Sequence, residues 1–269
     1  MPAIQPIRLK KQIALVAAQF DNPQKFLDEV HGLLSYYANH LHQPGQSGEP
    51  APLMNSYHVP KPVLRHIQKA LSPLAINSPD QALLLSKTLW SEPYLETRLL
   101  AGFLIGQIPA NRAGDVLQQI NQWVLGDIDE QFMKPLVEAG FQRLRQEVPS
   151  LLINQSEIWL EDPNIILKKL ALHAMISLIS DPDFKNLPPI INIINPYTRT
   201  IDELLRQDIL DIILALIDRS SKEMAYLLRK NYQVFKKEDT AWLIRQGLPR
   251  FPLDLQSSLK ETIRIIGNQ

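Results

Sequence analysis

EPYLETRLLA (residues 92–101) and DPNIILKKLA (residues 162–171) carry the same four residue types at the same offsets. These are Glu92, Pro93, Arg98 and Ala101 in the first stretch, and Asp162, Pro163, Lys168 and Ala171 in the second. From the cation at 98 to the cation at 168 is 70 residues, two units of about 35, and Arg206 follows after a further 38. Such a period belongs to stacked helical pairs. The acid and proline punctuate a helix start, where negative charge meets the positive end of the backbone dipole. The small alanine lets the two helices of a pair approach closely, and each pair buries its remaining apolar face on the next.

The rest of the chain extends this pattern. Leu204, Leu205, Ile209, Ile212, Ile213, Leu216 and Ile217 recur at three- and four-residue spacing on one broad face, while Asp202, Arg206, Asp208 and Arg219 fill the other. Ser78-Pro79, Glu92-Pro93, Asp162-Pro163 and Asp181-Pro182 each place a capping or acidic residue before a proline suited to a first turn. The expected fold is all-α, a superhelical array of antiparallel helix pairs of the HEAT or ARM type. Residues 1–42 form its N-terminal helices, a Pro/Gly/Ser-rich loop covers 43–56, and 57–269 continue the array as one domain.

Composition narrows the functional classes. The 269 residues hold 28 Lys plus Arg against 28 Asp plus Glu, so no global charge draws the chain to nucleic acid or to an anionic membrane, and any such partner is read by a local patch. The absence of cysteine excludes disulfides, thiolate metal sites and thiol nucleophiles, and fits a reducing compartment. The N-terminus lacks the apolar run of a secretory signal, and Asp211 and Asp218 interrupt the most apolar helix, so a cytoplasmic protein without a membrane span is expected. His40 and His42 are two apart and diverge on a helix. No metal site, cofactor loop or Ser-His-Asp order is expected.

At Tyr57-His58-Val59-x2-Pro62-x-Leu64-Arg65 the sequence resembles the pattern that opens the repeat array of AlkD-like DNA alkylation repair proteins. Asn22-Pro23-Gln24-Lys25, Leu89-Trp90 before Glu92-Pro93, and Asn164-Ile165 leading into Lys168-Lys169-x-Ala171 agree in order with the same family. The resemblance implies a concave surface that holds duplex DNA and hydrolyses the N-glycosidic bond of cationic alkylated purines. The alkylated base is already a good leaving group, so a carboxylate beside the sugar has mainly to stabilise the oxocarbenium-like centre and position water. The family's acid lies four residues after a tryptophan, which matches Trp123-x3-Asp127 and makes Asp127 the catalytic candidate, with Asp129 as the alternative.

Trp123, Lys168, Lys169 and Arg206 are the corresponding nucleic-acid-binding candidates. The chain departs from the family at Ile166, where an aromatic is usual, and near Asp211 and Leu214, where a tryptophan and an arginine are usual. Losing a phosphate-facing cation and gaining an acid weakens a backbone-binding groove. A second reading therefore stands beside the first: a catalytically inactive helical scaffold that binds a protein or peptide.

Overall fold

The computed structural model describes residues 5–39, 54–126 and 128–267, with side chains to 264. It divides into two compact units, residues 1–147 and 148–269. Described residues outside the helices form turns and a single isolated bridge between Asn55 and Tyr94, so the fold is all-α. No helix among them is long and apolar enough to cross a membrane. His40, His42 and residues 43–53 of the expected loop lie outside the described residues.

The first unit contains α1 (Pro6–Ala18), α2 (Pro23–Tyr36), α3 (Lys61–Asn77), α4 (Pro79–Trp90), α5 (Leu95–Gly106), α6 (Ala113–Leu125), α7 (Glu130–Gly140) and α8 (Gln142–Glu147). Alternate helices share a layer: α1, α3, α5 and α7 lie side by side, with α2 and α4 against them. Val63, Ile67, Leu71 and Ala75, one turn apart along α3, are fully buried and leave the opposite face free. Ala101 is fully buried as expected, but the closest approach belongs to Gly106. A Cβ there would stand 1.8 Å from the carbonyl oxygen of Ala139, so only glycine lets α5 lie this close to the end of α7.

In the second unit α10 (Ile165–Ile179), α12 (Arg206–Phe235) and α14 (Leu253–Gly267) form one layer. Against it stand α9 (Pro149–Glu161) and α13 (Glu238–Gly247), while α11 (Pro188–Ile194) packs on α9 and the turn that follows it. Ser220 interrupts α12 with φ −150° and ψ 56°, and its hydroxyl donates to the Glu223 carboxylate at 2.7 Å just beyond the break. Arg219, just before the break, donates to the carbonyls of Ile179, Asp181 and Phe184 and so satisfies the end of α10.

Three sequence expectations are corrected. Pro93 and Pro163 stand in the turns before α5 and α10, which begin two residues later behind Tyr94 and Asn164; the Asn164 side chain accepts from the Ile166 N–H at 2.9 Å and does the capping. Asp181-Pro182 starts no helix, because the Asp181 carboxylate accepts from the Asp183 N–H and closes a turn, and α11 begins at Pro188. Leu204 is 67% exposed in a 3₁₀ turn capped by Asp202, so the apolar face of α12 begins at Ile209.

Candidate nucleic-acid interface

The free face of α3 opens onto a groove of about 470 Å³ in the first unit, where Arg65, Gln68, Lys69 and Ser72 meet Phe103 of α5, Gln107 at its C-terminal end and Gln142 of α8. The residues of α3 follow the i, i+3, i+4, i+7 rule that sets side chains on one face. Ser72 donates to Gln107 at 2.7 Å and Gln107 donates to Gln142 at 3.0 Å, so one chain of hydrogen bonds spans three helices. Arg65 and Lys69 are exposed, and neither has a carboxylate partner among the described residues. The groove thus offers two uncompensated cations over a polar floor, which suits an extended oxyanion ligand.

A tryptophan pair lies elsewhere in this unit. Trp90, the last residue of α4, stacks on Trp123 of α6 with 4.3 Å between ring centres and 7° between planes, and Phe132 of α7 tilts against Trp90 at 5.4 Å. The Arg98 guanidinium lies over the Trp90 ring at 5.2 Å, and its Nε is buried without a hydrogen-bond partner among the described residues. Trp123 is only 6% exposed, so it supports Trp90 from within the unit. Asp127 lies outside the described residues. Asp129 caps α7, accepting from the Gln131 N–H at 3.0 Å, so this carboxylate already serves the helix start.

In the second unit Lys168 and Lys169 occupy the first turns of α10, half-buried. One turn beyond Lys169, His173 Nε2 meets Asp208 of α12 at 3.3 Å. Arg206 stacks over Trp242 at 4.2 Å and lies 3.9 Å from the Asp239 carboxylate, which also accepts from the Ile201 N–H. Its charge is therefore partly compensated within the unit, unlike that of Arg65 or Lys69. Asp211 is exposed and accepts from Gln207 at 2.8 Å, while Ile166 and Leu214 are half-buried.

One arrangement had no sequence signal beyond a tyrosine-histidine pair and two acids. Glu96, in the first turn of α5 and only 3% exposed, accepts from the Ser56 hydroxyl and from the N–H groups of Tyr57 and Val59 at 2.9, 3.1 and 3.3 Å. It clamps the segment leading into α3, and within that segment His58 has φ 53°, in the left-handed region that favours glycine. Tyr57 stacks on Tyr94 at 4.4 Å, and His31 bridges the Tyr57 hydroxyl at 2.9 Å and Glu92 at 3.1 Å. Burial first, then a hydrogen bond with Tyr94 and the negative charges of Glu96 and Glu92, pushes the Tyr57 hydroxyl up to about 12, so it stays neutral and takes part as a hydrogen-bonding group.

No group of three or more metal-ligating side chains occurs among the described residues. In comparison with known protein families, residues 53–209, more than half of the chain, match the family described as DNA alkylation repair enzyme. No curated protein and no solved structure matches the chain.

Proposed function

Because this chain belongs to the DNA alkylation repair enzyme family, we propose that it binds duplex DNA and hydrolyses the N-glycosidic bond of alkylated purines within it. The observation that carries the binding part is the groove of the first unit, where Arg65 and Lys69 have no carboxylate partner among the described residues and stand over the Ser72-Gln107-Gln142 chain. All of these residues lie inside the matched segment. In a chain of zero formal charge, two such cations on a rigid polar floor are the means to hold phosphodiesters. Arg98, half-buried and perched on Trp90, adds a further cation in α5 outside the groove lining.

The catalytic part assigns Asp127 as the carboxylate beside the sugar. Asp129 is engaged as the cap of α7, and this favours Asp127 of the two. The base departs with its positive charge neutralised, the carboxylate stabilises the developing oxocarbenium centre, and a water held by the same carboxylate completes hydrolysis. Trp123 supports Trp90 in this reading, and Lys168, Lys169 and Arg206 are the phosphate-binding candidates of the second unit.

A stack of helix pairs of the HEAT type that binds a protein or peptide without catalysis is the second reading, favoured by the burial of Trp123 and by the pairing of Arg206 with Asp239. Fluorescence anisotropy with a labelled 20-base-pair duplex, titrated at several salt concentrations, separates the two. Wild type binds with a salt-dependent constant, and Arg65→Ala/Lys69→Ala weakens it while reducing the slope of log K against log salt by about 2. Absence of duplex binding at low salt leaves the scaffold reading.

A further inference from the structure

The second half of α12 and the turn after it carry an excess of cations in a chain whose formal charge is zero. Lys222, Arg229 and Lys230 on the helix and Lys236 and Lys237 just after it stand against Glu223 alone over residues 222–237, and Glu223 accepts from Ser220. Met224, Ala225, Leu228, Asn231 and Tyr232 form its buried face, and the Asn231 amide donates to both Asn195 and Thr198 at 2.7 Å, so the helix cannot rotate about its axis. The opposite face, Tyr226, Arg229, Lys230 and Gln233, is thereby held outward at i, i+3, i+4 and i+7.

That face forms one wall of a groove of about 580 Å³, with Ser258, Glu261 and Thr262 of α14 as the other wall. The volume falls within the range of roughly 300–1,000 Å³ usual for small-ligand sites. Arg229 donates to the Ser258 hydroxyl at 3.2 Å, which fixes the guanidinium along the groove. Neither Arg229 nor Lys230 has a carboxylate partner within ion-pair distance among the described residues, although Glu261 lines the same groove. Tyr226 is 58% exposed, with the Lys230 ammonium 5.9 Å from its ring centre.

We infer that this groove, which lies wholly outside the segment matched by the family, binds single-stranded nucleic acid. A phosphodiester sits between Arg229 and Lys230, and the neighbouring base stacks on Tyr226. The two cations alone would suit any polyanion; the exposed ring beside them selects a ligand with a flat aromatic group one backbone step from its phosphate. The ring also selects against an intact duplex, whose base faces are hidden in the stack. Glu261 opposes the anion and sets the affinity below what the cations alone would give. The inference goes beyond the proposed duplex-binding function and does not need it.

The test uses the full chain and fluorescein-labelled oligothymidylate of 12 nucleotides, read by anisotropy at low salt. Wild type binds. Lys230→Glu, on the exposed face of the helix, and Arg229→Ala/Lys230→Ala each weaken binding by roughly tenfold or more, and Tyr226→Ala does so by a similar factor. Glu261→Gln tightens it. Arg65→Ala/Lys69→Ala leaves oligothymidylate binding unchanged while it lowers duplex affinity, so loss of one activity is told apart from loss of the other. No binding by wild type, equal binding by Lys230→Glu, no effect of Tyr226→Ala, or equal displacement by polyglutamate would each overturn the inference.

Discussion

The indole of Trp123 lies flat on that of Trp90, 4.3 Å away and within 7° of parallel. This pairing converts a residue suited to a binding surface into a support, because the covered Trp123 is held inside the unit while Trp90 carries Arg98 over its ring. Each tryptophan-to-alanine change should cost about 3–5 kcal/mol. The double variant should cost about 0.5–1.5 kcal/mol less than the two added together, the share that belongs to the ring pair. Urea denaturation of the four proteins measures this, and strict additivity would mean that the rings do not interact.

Glu96 places the entrance to α3. Its three accepted hydrogen bonds are charge-assisted and shielded from water, so Glu96→Gln should destabilise the protein by roughly 2–3 kcal/mol. Hydrogen exchange at the Tyr57 and Val59 amides should accelerate more than exchange in the core of α3. Unchanged protection at those two amides would show that the segment is held by other means.

His58 has a positive φ at a position where a side chain is disfavoured. Its backbone N–H donates to Ser56 whatever the side chain, so glycine can keep the turn. His58→Gly should therefore be more stable than His58→Ala by about 1 kcal/mol. Thermal unfolding of the two variants decides it, and a more stable alanine variant would contradict the strained geometry.

The helical class and the pairing were legible because three- and four-residue spacing leaves few alternatives to buried helix faces, as Val63, Ile67, Leu71 and Ala75 illustrate. The boundaries were less legible. Pro93 and Pro163 mark turns as readily as first turns, and only the capping bond of Asn164 distinguishes the two. The candidate interface was half readable: Arg65 belonged to the motif that carried the family resemblance, but Lys69 and the Ser72-Gln107-Gln142 chain depend on packing between helices 35 residues apart. Glu96 sat inside the repeat that set the fold, yet its partners lie nearly 40 residues upstream, beyond any local signal. Nor does spacing show whether a tryptophan such as Trp123 faces a ligand or another tryptophan.

Tyr57 gives the fold a pH dependence at the alkaline end. Its folded value of about 12 lies above the ordinary tyrosine value of 10.0, so the neutral form is favoured by folding. The associated stability is fully present below pH 10 and is lost as pH rises through about 12. The wild-type melting temperature should fall over this interval more steeply than that of Tyr57→Phe, which cannot ionise there. Parallel curves would exclude Tyr57 as the source.

Excision is the sharpest point of the account. Duplex DNA exposed to a methylating agent is incubated with the full chain, and released methylated purine is quantified by chromatography against a no-protein control. Wild type should release base above background and Asp127→Asn should return to background. Asp129→Asn, in which asparagine caps α7 as well as aspartate does, should retain the activity. No release by wild type, or equal release by wild type and Asp127→Asn, would contradict the assignment.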